Sequence, residues 1–252
     1  LFRSDEGDDD FISVFLVEKK NGTGRLISDC RPINILQDKP GPMGLPKIRD
    51  IIRMILSWTY ASQCDGTSFF YQFFLDPEVS KNFKVRLADM RGKIVTALLK
   101  RMPMGWTHAP RIAQAVANFI MEDIGVGWVD NFIYGGQTVD EFEKKRALLR
   151  KRLRKYNIQV DDLEMEMAQS LQALGLDFDL CAHKYRLDPK WVEKRSDVFA
   201  YKDMLHNLSF RQVFELFGSL IWASYVRDEP LWLHAESLAA LSQIAKTVNN
   251  NW

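Results

Sequence analysis

The sequence predicts a mixed α+β chain: a sheet with helices on one face over about 180 residues, then an all-helical appendage. Three observations lead there. Short β-rich runs bounded by turn residues recur as far as Leu180. Longer stretches between them carry apolar residues at helical spacing. From Pro189 onward only the helical pattern continues, with Trp191, Phe210, Phe214, Phe217 and Trp222 as candidate core residues. The 252 residues are 46% hydrophobic and 27% charged, which allows a sizeable core and excludes a disordered or fibrous chain.

The elements follow in order. Phe11 to Val17 and Arg25 to Ser28 are apolar runs around Asn21-Gly22, a hairpin signal with a loop slightly longer than the minimum. Residues 38–46 (DKPGPMGLP) are rich in turn formers and read as loop. Pro46 sits where a helix starts, and Ile48, Ile51, Ile52 and Ile55 follow at helical spacing. Tyr60 to Cys64 reads as a strand ending at Asp65. Phe83 to Leu87 and Lys93 to Leu99 flank a turn at Arg91-Gly92. Residues 103–110 form a loop before a helix over Arg111 to Glu122. Val126 to Val129 and Phe132 to Tyr134 make a tight hairpin around Asp130-Asn131, and a helix follows from Val139 to Tyr156. Leu174 to Leu180 reads as a strand, and the composition shift over residues 181–189 marks the best boundary.

Composition excludes several classes. No run of 18 apolar residues occurs, so no transmembrane helix is expected. The first ten residues are polar and acidic, unlike a signal peptide, and the absence of an initiating Met is expected of a piece of something longer. Cys30, Cys64 and Cys181 lie far apart, which rules out a disulfide framework and a C-x-x-C zinc site. The expected setting is intracellular, cytoplasm or nucleus, and not secreted. His108, His183, His206 and His234 have no metal-ligand spacing. The net charge of +1 says little, but Lys144 to Lys155 carries eight basic side chains and no acid. That stretch is either a solvated helix face with Leu148, Leu149 and Leu153 turned inward or a phosphate-facing surface.

Two acids stand at special places. Asp65 ends an apolar strand and opens the stretch DGTSFFYQFFL. Asp130 sits at the turn within GVGWVDNFIYGG. A carboxylate at the tip of a buried hairpin is costly unless something compensates it, although hairpin turns also carry Asp for turn chemistry alone.

The order of segments resembles the reverse transcriptase family of retroelements, of the LTR or tyrosine-recombinase retrotransposon type. SVFLVEKKNGTGRLISDCRPIN (13–34) looks like the family's fingers hairpin. GLPKIRDII with YASQCDGTSFFYQFFL (44–75) resembles its helix and catalytic strand, with Phe70 five residues after Asp65 and Gln72 two further. LLKRMPMGWTHAPRIAQ (98–114) is similar to L-P-x-G-x-x-x-x-P-x-x-x-Q, WVDN (128–131) stands at the place of Y-x-D-D, and ALGLDFDL (173–180) resembles the strand before the thumb. LSFRQVFELFGSLIWAS (208–224) looks like the first thumb helices.

The resemblance implies a right-hand polymerase core. Fingers would span 1–60 and 76–104, the palm, with its antiparallel sheet and helices, 61–75 and 105–180, and a helical thumb 181–252. It implies an RNA-directed DNA polymerase adding deoxynucleotides to a primer 3′-hydroxyl. Two Mg²⁺ (or Mn²⁺) ions about 3.5–4 Å apart would drive the displacement at phosphorus. Asp65 and Asp130 would hold both ions, with the Gly66 carbonyl as a further ligand. Arg25, and either Lys19 or Lys20, match triphosphate contacts, although Arg25 also fits a plain hairpin edge. Phe70 falls beneath the sugar, where a ring would collide with a 2′-hydroxyl, or it is core in a Phe-rich run. Met104 and Gly105 lie beside the nucleotide. Arg31 and Asn34 resemble template contacts, with a local Asp29 salt bridge as the plain alternative. Trp106, Pro110 and Gln114 resemble the template grip, and Trp106 equally fits core packing. The implied partners are an RNA template, a DNA primer and deoxynucleoside triphosphates, with a fused RNase H or other polyprotein domain outside the chain. The sequence departs from the family at Asn131, which replaces the second Asp, and at Trp128, which replaces the tyrosine. Asn131 supports the alternative of a catalytically decayed domain that binds nucleic acid or protein.

Overall fold

The computed structural model describes residues 11–18, 22, 24–88, 91–161, 166–193, 210–227 and 239. Lys19 and Lys20, the acidic first ten residues, His206, His234 and much of the expected thumb lie outside the described residues.

The chain forms two compact units. The first comprises Leu1–Pro46 with Ser57–Gln169, the second Lys47–Leu56 with Ser170–Trp252. The first unit holds two sheets. One has the order β2-β1-β4-β5, built from β1 (Phe11–Glu18), β2 (Gly24–Asp29), β4 (Lys84–Ala88) and β5 (Ile94–Leu98). The β1–β2 hairpin pairs Val17 with Arg25 across the Asn-Gly turn, and β1 runs parallel to β4. The other sheet has the order β6-β7-β3-β8: β3 (Tyr60–Gly66), β6 (Gly125–Trp128), β7 (Asn131–Gly136) and β8 (Val160–Asp161). All of its pairings are antiparallel.

Helices α4 (Ala109–Met121) and α5 (Val139–Lys155) cover this second sheet. Pro110 opens α4, where a missing N–H costs nothing. Thr138 caps α5 by accepting from the Glu141 N–H, and basic residues crowd its last turn. The inward side of α5 is Phe142, Leu149 and Leu153, as its spacing predicts. Its acid-free segment is partly neutralised from the preceding turns: Lys144 pairs with Asp140, Lys145 with Glu141 and Arg146 with Glu143. The core between sheet and helices is aromatic, with Phe69, Phe83, Phe132 and Phe142 fully buried. Gly127 lets α4 and β6 approach closely, since a Cβ there would lie 2.7 Å from the Ala117 backbone.

The second unit contains α2 (Ile48–Leu56), the sheet β9-β10-β11 (Ser170–Ala173, Leu176–Asp179, Lys184–Leu187) and a helix over Phe210–Val226. The four isoleucines predicted as the inner stripe of α2 are all buried. Leu56 O lies 2.8 Å from a ring nitrogen of His183, and the Tyr185 hydroxyl donates to Val226 O at 2.6 Å.

Three elements carry no sequence expectation, and a fourth, an expected strand, is shorter than its pattern predicts. Arg31–Ile35 is a short helix, α1, opened by Pro32. Pro77–Ser80 forms α3, capped by Asp76. Phe69–Gln72 is a 3-10 turn. The single strand expected over Leu174 to Leu180 begins only at Leu176, because Leu174 (φ 54°) and Gly175 (φ 75°) form the turn of the β9–β10 hairpin. Two successive positive φ values suit a tight antiparallel turn, and a Leu in that conformation gives no signal in sequence.

Candidate active site

Asp65 is the penultimate residue of β3, exposed at the end of a strand whose neighbours Cys64 and Gly66 are buried. β3 pairs with β7 so that Asp65 stands opposite Asn131. β6 and β7 are joined by the two-residue turn Val129-Asp130, and the Gly66 N–H donates to the Asp130 carbonyl at 2.6 Å. The two carboxylates found in sequence therefore sit on neighbouring backbone segments at one end of one sheet.

The structure adds a third. β8 lies on the other side of β3, with Asp161 opposite Asp65 and Val160 opposite Gly66. Asp161 also accepts from the Thr67 hydroxyl. Partial burial, then the charges of Asp130 and Asp161, raise the Asp65 carboxyl above its ordinary range. A site that repels its own negative charge is suited to a cation. Sequence reasoning missed Asp161, because a two-residue strand carries no alternation to read.

The turn that presents Asp130 is strained. Val129, a β-branched residue, has φ 56°. The carboxamide of Gln114, fully buried on α4, holds it there. Its Oε1 accepts from the Val129 N–H at 2.8 Å, and its Nε2 donates to Gly127 O at 2.7 Å. Gln114 was expected in the template grip; in the structure its side chain lies behind the turn and is spent on it.

Asn131 donates weakly through Nδ2 to Gln63 Oε1 at 3.4 Å. Its own Oδ1 is buried with no partner among the described residues. Beneath Gly66 lies the Phe69 ring, 2.5 Å from where a Cβ would stand, so β3 ends on a glycine that admits no side chain without a shift. Phe70 is half-buried in the 3-10 turn.

The remaining expected residues lie in the same unit. Arg31 forms a bidentate pair with Asp29, at 2.9 and 2.6 Å, and this holds the Asp29 carboxyl down at about 2. The Arg31 side chain is nevertheless 85% exposed. Asn34 bonds Gly105 O and the Thr107 N–H, both at 2.9 Å, and so ties α1 to the loop before α4. Gly105 (φ 108°) is forced by the Ser28 carbonyl, 2.5 Å from a Cβ there. Trp106 is buried against Phe83 and donates its indole N–H to Gln37 at 2.7 Å. Met104 and Pro110 are half-buried, and Arg25 lies opposite Val17 in β2. Among the described residues no group of three or more His, Cys, Asp or Glu side chains is arranged to hold a metal ion, and no helix is long and apolar enough to cross a membrane.

No family model matches the sequence, and no curated protein matches it. Solved structures do. The chain is similar to the foamy viral protease-reverse transcriptase (dRH) in complex with double-stranded DNA, at TM-score 0.66 and 17% identity over 84% of this chain and 36% of that one. A second structure, the foamy viral protease-reverse transcriptase with double-stranded DNA, gives TM-score 0.62 and 18% identity over 83% of this chain and 42% of the other. The same viral protein in complex with an RNA/DNA hybrid gives TM-score 0.59 at 18% identity, covering 84% of this chain and 27% of the other. The chain thus spans well under half the length of each. This likeness establishes the fold: a mixed α+β, reverse-transcriptase-like polymerase core with antiparallel sheets.

Proposed function

We propose that this chain is the polymerase portion of an RNA-directed DNA polymerase of a retroelement, divided into fingers, palm and thumb at the boundaries expected from sequence. One observation carries the reading: β3 and the β6–β7 turn bring Asp65 and Asp130 to the same sheet end, with Asp161 beside them.

A divalent cation fits this donor set in kind. The side chains are hard oxygen donors, Asp65 is raised by partial burial and then by its charged neighbours, and the buried Asn131 Oδ1 lacks a partner among the described residues. Asp65, Asp130 and the Gly66 carbonyl would hold Mg²⁺ or Mn²⁺. When bound, the ions lower the barrier to displacement at phosphorus by neutralising negative charge on the triphosphate. Phe70 walls off the 2′ position of the incoming sugar. Arg25, and Lys19 or Lys20, bind the triphosphate, and exposed Arg31 faces the template strand. Asn34, Trp106 and Gln114 serve indirectly, by shaping the backbone around Gly105 and Asp130. The dsDNA and RNA/DNA hybrid carried by the similar viral protein agree in kind with the RNA template and DNA primer assigned here.

Incorporation of labelled deoxynucleotides on a primed RNA template tests the reading. Asp65→Asn and Asp130→Asn are each expected to abolish extension with melting temperature preserved or raised, since each removes a charge from a self-repelling cluster. Wild-type rates in both variants would refute it. Asn131 favours a second reading, a decayed domain that only binds; a silent wild type that nevertheless holds primer–template decides for it.

A further inference from the structure

We propose that Gln72 is a positioning residue that keeps the sugar-facing ring of Phe70 in register with the Asp65 carboxylate; this rests on the polymerase reading above. Between the end of β3 at Gly66 and Phe70 the chain passes through no further strand and no α-helix. It runs through Gly66 and Thr67, then Ser68 in the left-handed region at φ 49°, and enters the 3-10 turn without a side-chain cap. A non-glycine residue held at positive φ persists only where its surroundings impose it.

Gln72 supplies that constraint. Its carboxamide folds back along the chain. Nε2 donates to Thr67 O at 2.7 Å and to Gln159 O at 2.7 Å, and Oε1 accepts from the Gln159 N–H at 2.8 Å. Thr67 is also bonded through its own N–H, which donates to Gln159 O at 3.1 Å. The result is a closed ring of three residues: Thr67, two after Asp65; Gln72, two after Phe70; and Gln159, immediately before the strand that brings Asp161 opposite Asp65. Arg101 adds a bond from its guanidinium to Gln72 O at 2.8 Å, fixing the far side of the turn.

Only one side-chain type meets this demand. Two donors and one acceptor on a single planar group, at this reach, require a primary amide on a two-carbon stem. Glutamate at neutral pH has no donor and would face two carbonyl oxygens. Asparagine is one methylene short. Methionine matches the length and bonds to neither backbone.

If the latch sets the Asp65–Phe70 spacing, loosening it moves the ring relative to the carboxylate, and discrimination against ribose suffers. A bond that only braced the fold would lower stability and leave sugar choice alone. Two measurements on Gln72→Met separate these. Amide hydrogen exchange at Gln159, whose N–H donates to Gln72 Oε1, is expected to quicken by about tenfold or more. The ratio of kcat/KM for deoxy- over ribonucleotides is expected to fall by roughly tenfold, a smaller loss than in Phe70→Ala, where the wall itself is gone. Gln72→Asn, which keeps the amide but not the reach, serves if the methionine variant does not fold, with the same two results expected. Unchanged exchange overturns the latch. Faster exchange with an unchanged ratio overturns the positioning role. A wild-type protein that incorporates no nucleotide overturns the polymerase reading, and this assignment with it. That failure is read in the wild-type reaction alone and so is distinct from the other two.

Discussion

The two sheets of the first unit are built on opposite principles. β7 is buried from Phe132 to Gly136, with α5 packed against it. The β2-β1-β4-β5 sheet instead leaves apolar side chains in solvent: Leu16 is 72% exposed and Ile94 64% exposed, and Phe15, Val17, Leu87, Val95 and Leu98 accompany them. The carboxylates belong to the first kind of sheet. A site whose groups must hold position to a fraction of an ångström needs strands locked by packing behind them, and the Asp65–Asp130 end has that support. The outer sheet carries Arg25 opposite Val17, on a stretch of the hairpin whose apolar neighbours Leu16, Val17 and Leu26 are exposed.

The sharpest way to break this comparison is to truncate a side chain in each sheet. Phe132→Ala removes a fully buried ring that meets Phe69 edge-on at 5.6 Å, and is expected to cost about 3–5 kcal/mol. Ile94→Thr on the outer sheet is expected to stay within about 0.5 kcal/mol. Chemical denaturation of both variants checks the contrast, and equal losses would show the outer sheet to be packed as tightly as the inner one.

Gln114→Met comes next in size. The substitution keeps the volume but leaves Gly127 O and the Val129 N–H without their buried partner, at about 1–3 kcal/mol for each orphaned group. The strained Val129 turn would relax, so the extension rate is expected to fall together with the denaturation midpoint. Template affinity lost at unchanged stability would instead return Gln114 to the template grip.

The same contrast explains what was legible in the sequence. Elements with a strong internal period were readable: the four isoleucines of α2, the apolar β3 strand and the Phe142-Leu149-Leu153 stripe of α5. So were Asp65 and Asp130, because a carboxylate that interrupts an apolar run is conspicuous. Features made by tertiary contact were not. β8 is two residues long and exists only because β3 lies beside it, so Asp161 had no pattern to announce it. Gln114 could be quoted for its likeness to a template grip, but nothing in the sequence announces that it is wholly buried behind the turn. Gln72 could be quoted as part of a motif, but its bonds to Thr67 and Gln159 bring together residues 87 apart in the chain. Trp106 and Arg31 illustrate the converse: each had a plain structural alternative, and Trp106 packs in the core while Arg31 pairs with Asp29, whereas Asn34 bonds the loop around Gly105, which no local pattern announced.

The smallest expected effect belongs to Asn131, which stands where the Y-x-D-D pattern of reverse transcriptases has its second Asp. Asn keeps an oxygen at this position but removes one negative charge beside Asp65 and Asp130. Its Oδ1 is buried and unpartnered among the described residues, and its Nδ2 reaches Gln63 only at 3.4 Å, so replacing the amide forfeits little bonding. Asn131→Asp would add a charge to a cluster that already raises Asp65. Without metal that extra repulsion is expected to lower the melting temperature slightly; with metal the sign reverses, because the added carboxylate draws the cation. Wild type is therefore expected to extend primers better in Mn²⁺ than in Mg²⁺. The variant is expected to reach half-maximal rate at a Mg²⁺ concentration lower by a factor of a few. The metal titration of extension, run beside thermal melts with and without Mg²⁺, checks both signs. A variant with unchanged metal dependence and unchanged melting in both conditions would place residue 131 outside the reach of the ions. The charge cluster would then end at Asp65, Asp130 and Asp161.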